Sequence, residues 1–352
     1  MKILVTGGCG FIGSNFIISQ INNTQNTILN YDVLTYAANI DNLKQIHKSK
    51  RYKFFKGDIC NINDINKAIH NFDPDAIVHF AAESHVDRSI DNPNKFIFTN
   101  VNGTANMLNI SLKFYKDMTA NKRKRFRFLH VSTDEVFGSL GTNGFFTEDT
   151  PYKPSSPYSA SKASSDHLVR AWHNTYNFPT LITNCSNNYG PYQFPEKLIP
   201  LIIANCFDKK PLPVYGNGEN IRDWLYVADH CNALDLVLNN GEIGNTYNIG
   251  GNCEVKNIDI VNSICNYMDK LKPMQNSEKY SSLITFVEDR PGHDFRYAID
   301  SSKIQNDLNW VPKENFNSGI RKTIEWYLKN EDWWRKIQNS NYAQQRLGLK
   351  ID

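Results

Sequence analysis

The stretch that most limits what this chain can become is its first 32 residues. MKILVTGGCGFIGSNF opens with an apolar run, Lys2 to Thr6, that reads as a buried strand, and follows it at once with Gly7, Gly10 and Gly13 ahead of an apolar helical run. Glycines at such a turn let the backbone approach a pyrophosphate, and the helix that starts there offers unpaired N–H groups and positive potential. The G-x-x-G-x-x-G spacing alone is a weak signal. A second strand, Thr27 to Tyr31, ends at Asp32, nineteen positions after Gly13, where a carboxylate accepts hydrogen bonds from an adenine-side ribose and repels a 2′-phosphate. The unit therefore points to a dinucleotide, and to NAD over NADP.

The same alternation continues. A strand at Tyr52 to Lys56 closes on Gly57-Asp58-Ile59, a helix runs from about Asp64 to Phe72, and an apolar strand covers Ala76 to Ala82. Strand and helix in turn imply an α/β protein with a parallel, doubly wound sheet of Rossmann type. ESHVDRS, Glu83 to Ser89, then lies at a strand's carboxyl end, where such sheets place ligands; His85 in it reads either as a structural loop histidine or as a ligand contact. Pro93 to Tyr115 makes one long helical stretch interrupted by Gly103, with Phe96, Phe98, Val101, Met107, Leu108 and Leu112 for core or subunit contact. Beyond Cys185 the alternation weakens, loops lengthen and prolines cluster (191, 195, 200, 211 and 213). The expected division is a dinucleotide-binding domain over residues 1–185 and a smaller, mainly substrate-binding lobe over 186–352, some of whose segments return to the sheet. In that lobe Arg222, Arg290, His293 and Arg296 fall in turn-rich stretches suited to a diphosphate, and Trp326, Trp333 and Trp334 read as packing anchors.

Chemistry concentrates between Ser132 and Lys162. An apolar strand, Phe126 to Val131, delivers Ser132, Thr133, Asp134 and Glu135 to a loop, and YSASK places Tyr158 and Lys162 four apart, on one face of a helix. An ammonium near a phenol favours the phenolate, which makes a tyrosine a useful base. Singly, each motif recurs by chance; together they offer a base beside a pair of acids.

Composition removes other classes. A net charge of +3 is too small to argue for nucleic acid, and the run Lys122 to Arg125 reads as a solvated loop before a strand. Seven scattered cysteines without any C-x-x-C argue against a disulfide framework and a zinc site, and fit a reducing, cytoplasmic location. MKILVTGG is too short an apolar run for a signal peptide, and no apolar stretch approaches the ~20 residues that span a bilayer. Neither a metal nor a membrane is expected.

TGGCGFIG, YDVLTYAAN, AAESHVDRS, STDEVFG, YSASK, NNYGPYQFPEKLIP, YGNGENIRDWLYVADH and DRPGHD fall in order along nearly the whole chain. This set resembles the nucleoside-diphosphate-glucose 4,6-dehydratases, the dTDP-glucose enzymes above all, within the extended short-chain dehydrogenase/reductase group. STDEVFG is its most specific element. The resemblance implies NAD contacts at Phe11, Ile12, Asp32, Thr35, Asp58, Ile59, Ala81, Thr99, Tyr158, Lys162 and Asn188, beside the glycine turn. It implies substrate contacts at Ser84, Thr133, Asn187, Lys197, Leu198, Pro213, Tyr215, Arg222, Asn257, Arg290 and His293, and a homodimer paired through Pro93 to Tyr115 and Tyr158 to Tyr176. Phe137 and Val33 stand where relatives usually carry tyrosine and lysine; neither change removes a catalytic group.

The expected reaction oxidises C4 of a nucleotide-bound glucose, eliminates water across C5 and C6, and reduces C6, with Tyr158 and Lys162 serving the first step, Glu135 as C5 base and Asp134 as acid, Thr133 beside them. A 4-epimerase would leave the Asp134–Glu135 pair idle, a decarboxylase needs a group for a C6 carboxylate, and a nucleotide-sensing protein would be expected to lose Tyr158 or Lys162. The residues leave dTDP against UDP open, since one methyl in an apolar pocket is worth ~1–3 kcal/mol.

Overall fold

The structure is a computed structural model that describes residues 1–289 and 292–340; Arg290 lies outside the described residues. The strands, in chain order, are β1 (Lys2–Thr6), β2 (Thr27–Asp32), β3 (Tyr52–Lys56), β4 (Ala76–His79), β5 (Arg127–Thr133), β6 (Thr180–Cys185), β7 (Asn187–Tyr189), β8 (Leu212–Tyr215), β9 (Ile221–Tyr226), β10 (Thr246–Ile249), β11 (Glu254–Lys256) and β12 (Ile284–Val287). Seven of them form one parallel sheet in the order β10-β6-β5-β4-β1-β2-β3. This is the doubly wound α/β fold expected from the alternation. The order reverses between β1 and β4, so a crevice opens where their carboxyl ends part.

Apolar residues on successive strand positions face opposite ways, which is why one run such as ILV feeds two layers. Ile3 and Val5 join a cluster with Phe16, Ile17, Leu234 and Val237, beneath the helices Phe11–Asn23 and Val227–Asn240. Leu4 faces the other way, into a cluster with Ile65, Ile69, Met107, Leu108 and Val169 from the helices Ile62–Phe72, Thr104–Asp117 and Pro157–Tyr176. A third cluster, with Ile202, Ile264, Ile324 and Trp334, holds the remainder of the chain around the small sheets β11-β9-β7 and β12-β8. Trp326 and Trp333 meet at 5.1 Å on its margin.

Several local details differ from the sequence reading. β5 runs on through Thr133, and Asp134–Phe137 is a 3-10 turn instead of a loop, because the Thr133 hydroxyl accepts the Glu135 N–H and Gly138, at φ +88°, ends the turn. Gly103 does not break its helix. The segment Ile97–Gly103 is a π-helical turn that runs into Thr104–Asp117, and a Cβ on Gly103 would meet Ile59 Cδ1 at 2.6 Å, so the glycine serves close packing. The basic run is a helical turn, Ala120–Arg123, capped by Thr119; Lys122 pairs with Asp73, and Arg123 bonds the Lys116 and Met118 carbonyls. Arg222 sits on β9, not on a turn.

The helix Pro157–Tyr176 carries the tyrosine in its first turn, and its start is fixed by a capping box: Ser156 Oγ accepts from Ser159 N at 3.1 Å while Ser159 Oγ accepts from Ser156 N at 3.0 Å, with proline at the first position. Ser156→Ala is therefore expected to lower the unfolding free energy by about 1 kcal/mol in denaturant titration; no measurable loss would mean that packing alone fixes this end.

Candidate active site

The turn after β1 is the floor of the site. Gly7 has φ +71°, and a Cβ there would meet Ala81 N at 2.7 Å; one on Gly13 would meet the Gly7 carbonyl at 2.4 Å. The helix Phe11–Asn23 begins at Gly10 with no side-chain cap, so its first N–H groups are left for whatever occupies the crevice. Beyond it, Asp32 accepts from Cys9 N at 2.9 Å and Leu34 N at 2.8 Å. Burial pushes its carboxyl up, and those two N–H groups pull it back.

One cavity of about 510 Å³ runs from this turn to the end of β5 and contains Gly7, Gly10, Phe11, Ile12, Gly13, Asp32, Thr35, Asp58, Ile59, Ala81, Thr99, Tyr158, Lys162 and Asn188, all the positions assigned above to the cofactor. A glycine cradle, an open helix terminus and a carboxylate at the far end are the parts a dinucleotide needs, so these residues fit NAD.

Thr133, Asp134, Glu135, Tyr158 and Lys162 line the same cavity. The end of β5 and the first turns of the capped helix bring them there. Asp134 is 2% exposed, Thr133 Oγ1 donates to its Oδ1 at 3.3 Å, and its Oδ2 has no protein hydrogen-bond partner. Burial first, then Glu135 and Asp223, push its carboxyl well above the usual range, while Arg222 pulls weakly the other way. Its surroundings therefore favour the protonated form. Burial, then Glu135 and Cys185, also push the Tyr158 phenol up, against the Thr133 hydroxyl. Lys162 donates to the Val131 carbonyl at 2.9 Å and is pulled down by burial.

Of the positions assigned to substrate, Ser84, Thr133, Asn187 and Lys197 line the cavity, and Lys197 Nζ reaches the Ser84 carbonyl at 3.4 Å. Leu198, Pro213, Tyr215, Arg222, Asn257 and His293 do not line it. Leu198 and Asn257 open the helices Leu198–Asp208 and Asn257–Leu271. Pro213 and Tyr215 lie on β8, the Tyr215 ring is 6.3 Å from that of His293, and Arg222 bonds the Asp294 carbonyl at 2.9 Å. Arg290 is outside the described residues. His85 is buried with Nε2 3.8 Å from Glu196, which also meets Arg88 at 3.1 Å and the Tyr36 hydroxyl at 3.2 Å. Sequence reading missed this cluster, whose members are far apart in the chain. It also missed Asp166 and His130 beneath Lys162, although Asp166 repeats the four-residue step from Tyr158 to Lys162.

Among the described residues no group of three or more His, Cys, Asp or Glu could hold a metal ion, and no helix is long and apolar enough to cross a membrane. All seven cysteines are free thiols.

A family model described as GDP-mannose 4,6 dehydratase matches residues 4–323. A dTDP-glucose 4,6-dehydratase from Escherichia coli is 56% identical over 361 residues, covering 99% of each chain. Among solved structures, dTDP-glucose 4,6-dehydratase from Bacillus anthracis in complex with NAD superposes with a TM-score of 0.85 at 46% identity, over 96% of this chain and 99% of that one. DesIV, a dTDP-glucose 4,6-dehydratase from Streptomyces venezuelae with NAD and TYD bound, gives 0.87 at 41%, over 96% and 100%.

The environment of Asp134 makes a stability prediction. Its folded pKa is raised above the unfolded value of about 3.9, so its contribution is fully present below that pH and is lost as pH rises toward the folded pKa. Asp134→Asn removes the penalty. The variant's thermal midpoint is expected to exceed the native one at pH 7 to 8, with the gain vanishing toward pH 4; a gain independent of pH would mean that Asp134 is not the protonated acid.

Proposed function

The chain belongs to the GDP-mannose 4,6-dehydratase family, in company with the dTDP-glucose 4,6-dehydratases, and from that premise we propose that it is an NAD-dependent hydro-lyase. It converts a nucleoside-diphosphate-glucose, dTDP-glucose by the company it keeps, to the 4-keto-6-deoxy sugar nucleotide. The observation that carries this reading is the buried Asp134, its carboxyl pushed up by burial and by Glu135 beside it, in the cavity that also holds Tyr158. An epimerase would have no use for that acid.

The glycine turn and the helix after it would hold the pyrophosphate of NAD, and Asp32 the adenine-side ribose. NAD bound there would supply a hydride acceptor for C4, the hydride for C6, and a positive charge that favours the Tyr158 phenolate against burial and Glu135. Tyr158 removes the 4-hydroxyl proton as C4 becomes a ketone. That ketone acidifies C5, and Glu135 takes the C5 proton. Asp134 gives its proton to the 6-hydroxyl, which leaves as water; a carboxyl pushed up by burial and by its acidic neighbours suits the acid's part. Glu135 then returns a proton to C5. One water is lost, and the sugar undergoes no net oxidation.

Residues 1–185 serve the cofactor and 186–352 mainly the nucleotide sugar, a division supported by the third apolar cluster. A homodimer is supported by Ile97, 50% exposed on the helical stretch before Thr104 and outside the cavity; light scattering at micromolar concentration should give twice the chain mass, and a monomer would reject the pairing. Seven free thiols are in keeping with a cytoplasmic setting.

The reaction is tested by isotope. Deuterium at C4 of dTDP-glucose should reappear at C6 of the same product molecule, with solvent hydrogen entering only at C5. Asp134→Asn should still oxidise C4 but stall before water leaves, so reduced-nicotinamide absorbance accumulates. Scrambling of label between substrate molecules, or its loss to solvent, would exclude an internal redox dehydration.

A further inference from the structure

Tyr158, Lys162 and Asp166 succeed one another at single-turn steps along the helix Pro157–Tyr176, so they share a face. The mechanism above uses the first two and leaves the third unexplained. The Lys162 ammonium is 4% exposed and donates to one carbonyl, Val131, at 2.9 Å; His130 Nε2 is 3.5 Å away. Burial disfavours such an ammonium, and the largest opposing influence on it is the charge of Asp166.

Asp166 has no exposure. His130 Nε2 stands 3.1 Å from its Oδ1, and its Oδ2 accepts from the Tyr152 hydroxyl at 2.8 Å and Asn184 Nδ2 at 3.2 Å. Burial pushes its carboxyl up, but His130 first, then the charge of Lys162 and the nearby Ser132, outweigh burial and hold it below the usual range. His130 itself is pushed down to about 4, by burial first and then by Lys162. It is therefore neutral at physiological pH and able to donate Nε2–H to the carboxylate. His79 lies 5.4 Å from His130, bonded to Thr6 at 2.7 Å and Thr104 at 3.0 Å, and is held neutral by burial. Cys185 on β6 is kept a thiol by burial, and Arg170 is tied to the Tyr152 hydroxyl at 2.7 Å.

We infer that Asp166, acting through Lys162, is a positioning residue for the reaction: its buried carboxylate is the fixed countercharge that keeps Lys162 an ammonium beside Tyr158. A buried carboxylate four residues beyond the lysine, with His130 Nε2 3.1 Å from one oxygen, two hydrogen-bond donors on the other and no solvent, stands on the same helix face as the Lys162 ammonium. The inference rests on the dehydratase reading, since it assigns Asp166 to the base of that reaction.

Asp166→Asn keeps the shape and an acceptor for His130 but removes the charge. Lys162 then gives up its proton at lower pH, and Tyr158 needs a higher pH to ionise. The acid limb of the kcat/KM profile for dTDP-glucose is expected to move up by about one pH unit, so that the rate at pH 7 falls about tenfold and is regained as pH is raised. A loss of the same factor at every pH overturns the inference. Should the single variant fold poorly, a thermal cycle decides: Asp166→Asn is expected to lower the melting temperature in the native background and to leave it unchanged or raise it in a Lys162→Met background, where the carboxylate has lost its cation. Equal losses in both backgrounds overturn the inference. The cycle needs no turnover, so a failure of the dehydratase reading, seen as native protein inert toward dTDP-glucose, is distinguished from a failure here.

Discussion

Removal of water from the carboxyl end of β5 is the condition on which the rest of this site depends. Burial drives each ionisable group there toward its neutral form: Asp134 and Tyr158 upward, Lys162 downward. In water the same three side chains would be an ordinary carboxylate, phenol and ammonium with no division of roles. Once dry, each is governed by its few polar neighbours. Glu135 and Asp223 reinforce the proton on Asp134, whereas Asp166 works against burial on behalf of Lys162. One backbone position thus yields an acid and one a cation, although both are equally hidden from solvent.

The parts of this arrangement that were legible in the sequence are those written in short-range spacing. Three glycines after an apolar run, Asp32 at a strand end, and Tyr158 four residues before Lys162 are local signals whose physical reasons do not depend on distant chain. The parallel sheet followed from alternation alone. What escaped notice was set by contacts across the fold. Asp166 becomes meaningful only with His130 opposite it on β5, and Glu196 only with Arg88 and Tyr36, each brought from more than a hundred residues away.

Not every proline beyond Cys185 stands in a loop. Pro200 lies in the first turn of the helix Leu198–Asp208, where its missing N–H has no helical acceptor in any case. Pro213 lies within β8, a strand of a two-stranded sheet that has β12 on one side only, so a lost donor can face outward. Arg222 was assigned to a turn on the strength of the neighbouring Gly216 and Gly218, and the strand begins just past them. Punctuating residues mark where an element can stop; whether it does depends on which of its N–H groups the fold has to satisfy.

β10 has a consequence for how the molecule is made. It closes the outer edge of the seven-stranded sheet against β6, and the helix Val227–Asn240 that covers Phe16 and Ile17 precedes it directly. Both are translated only after β7, β8 and β9, which belong elsewhere in the fold. A nascent chain that has just completed β6 consequently leaves the ribosome with an unpaired parallel edge and a bare apolar face, the features that invite association between chains. The N-terminal half cannot finish folding ahead of the C-terminal half, and its synthesis includes an interval in which holding by a chaperone, or a quick passage through the codons up to residue 249, has a physical purpose.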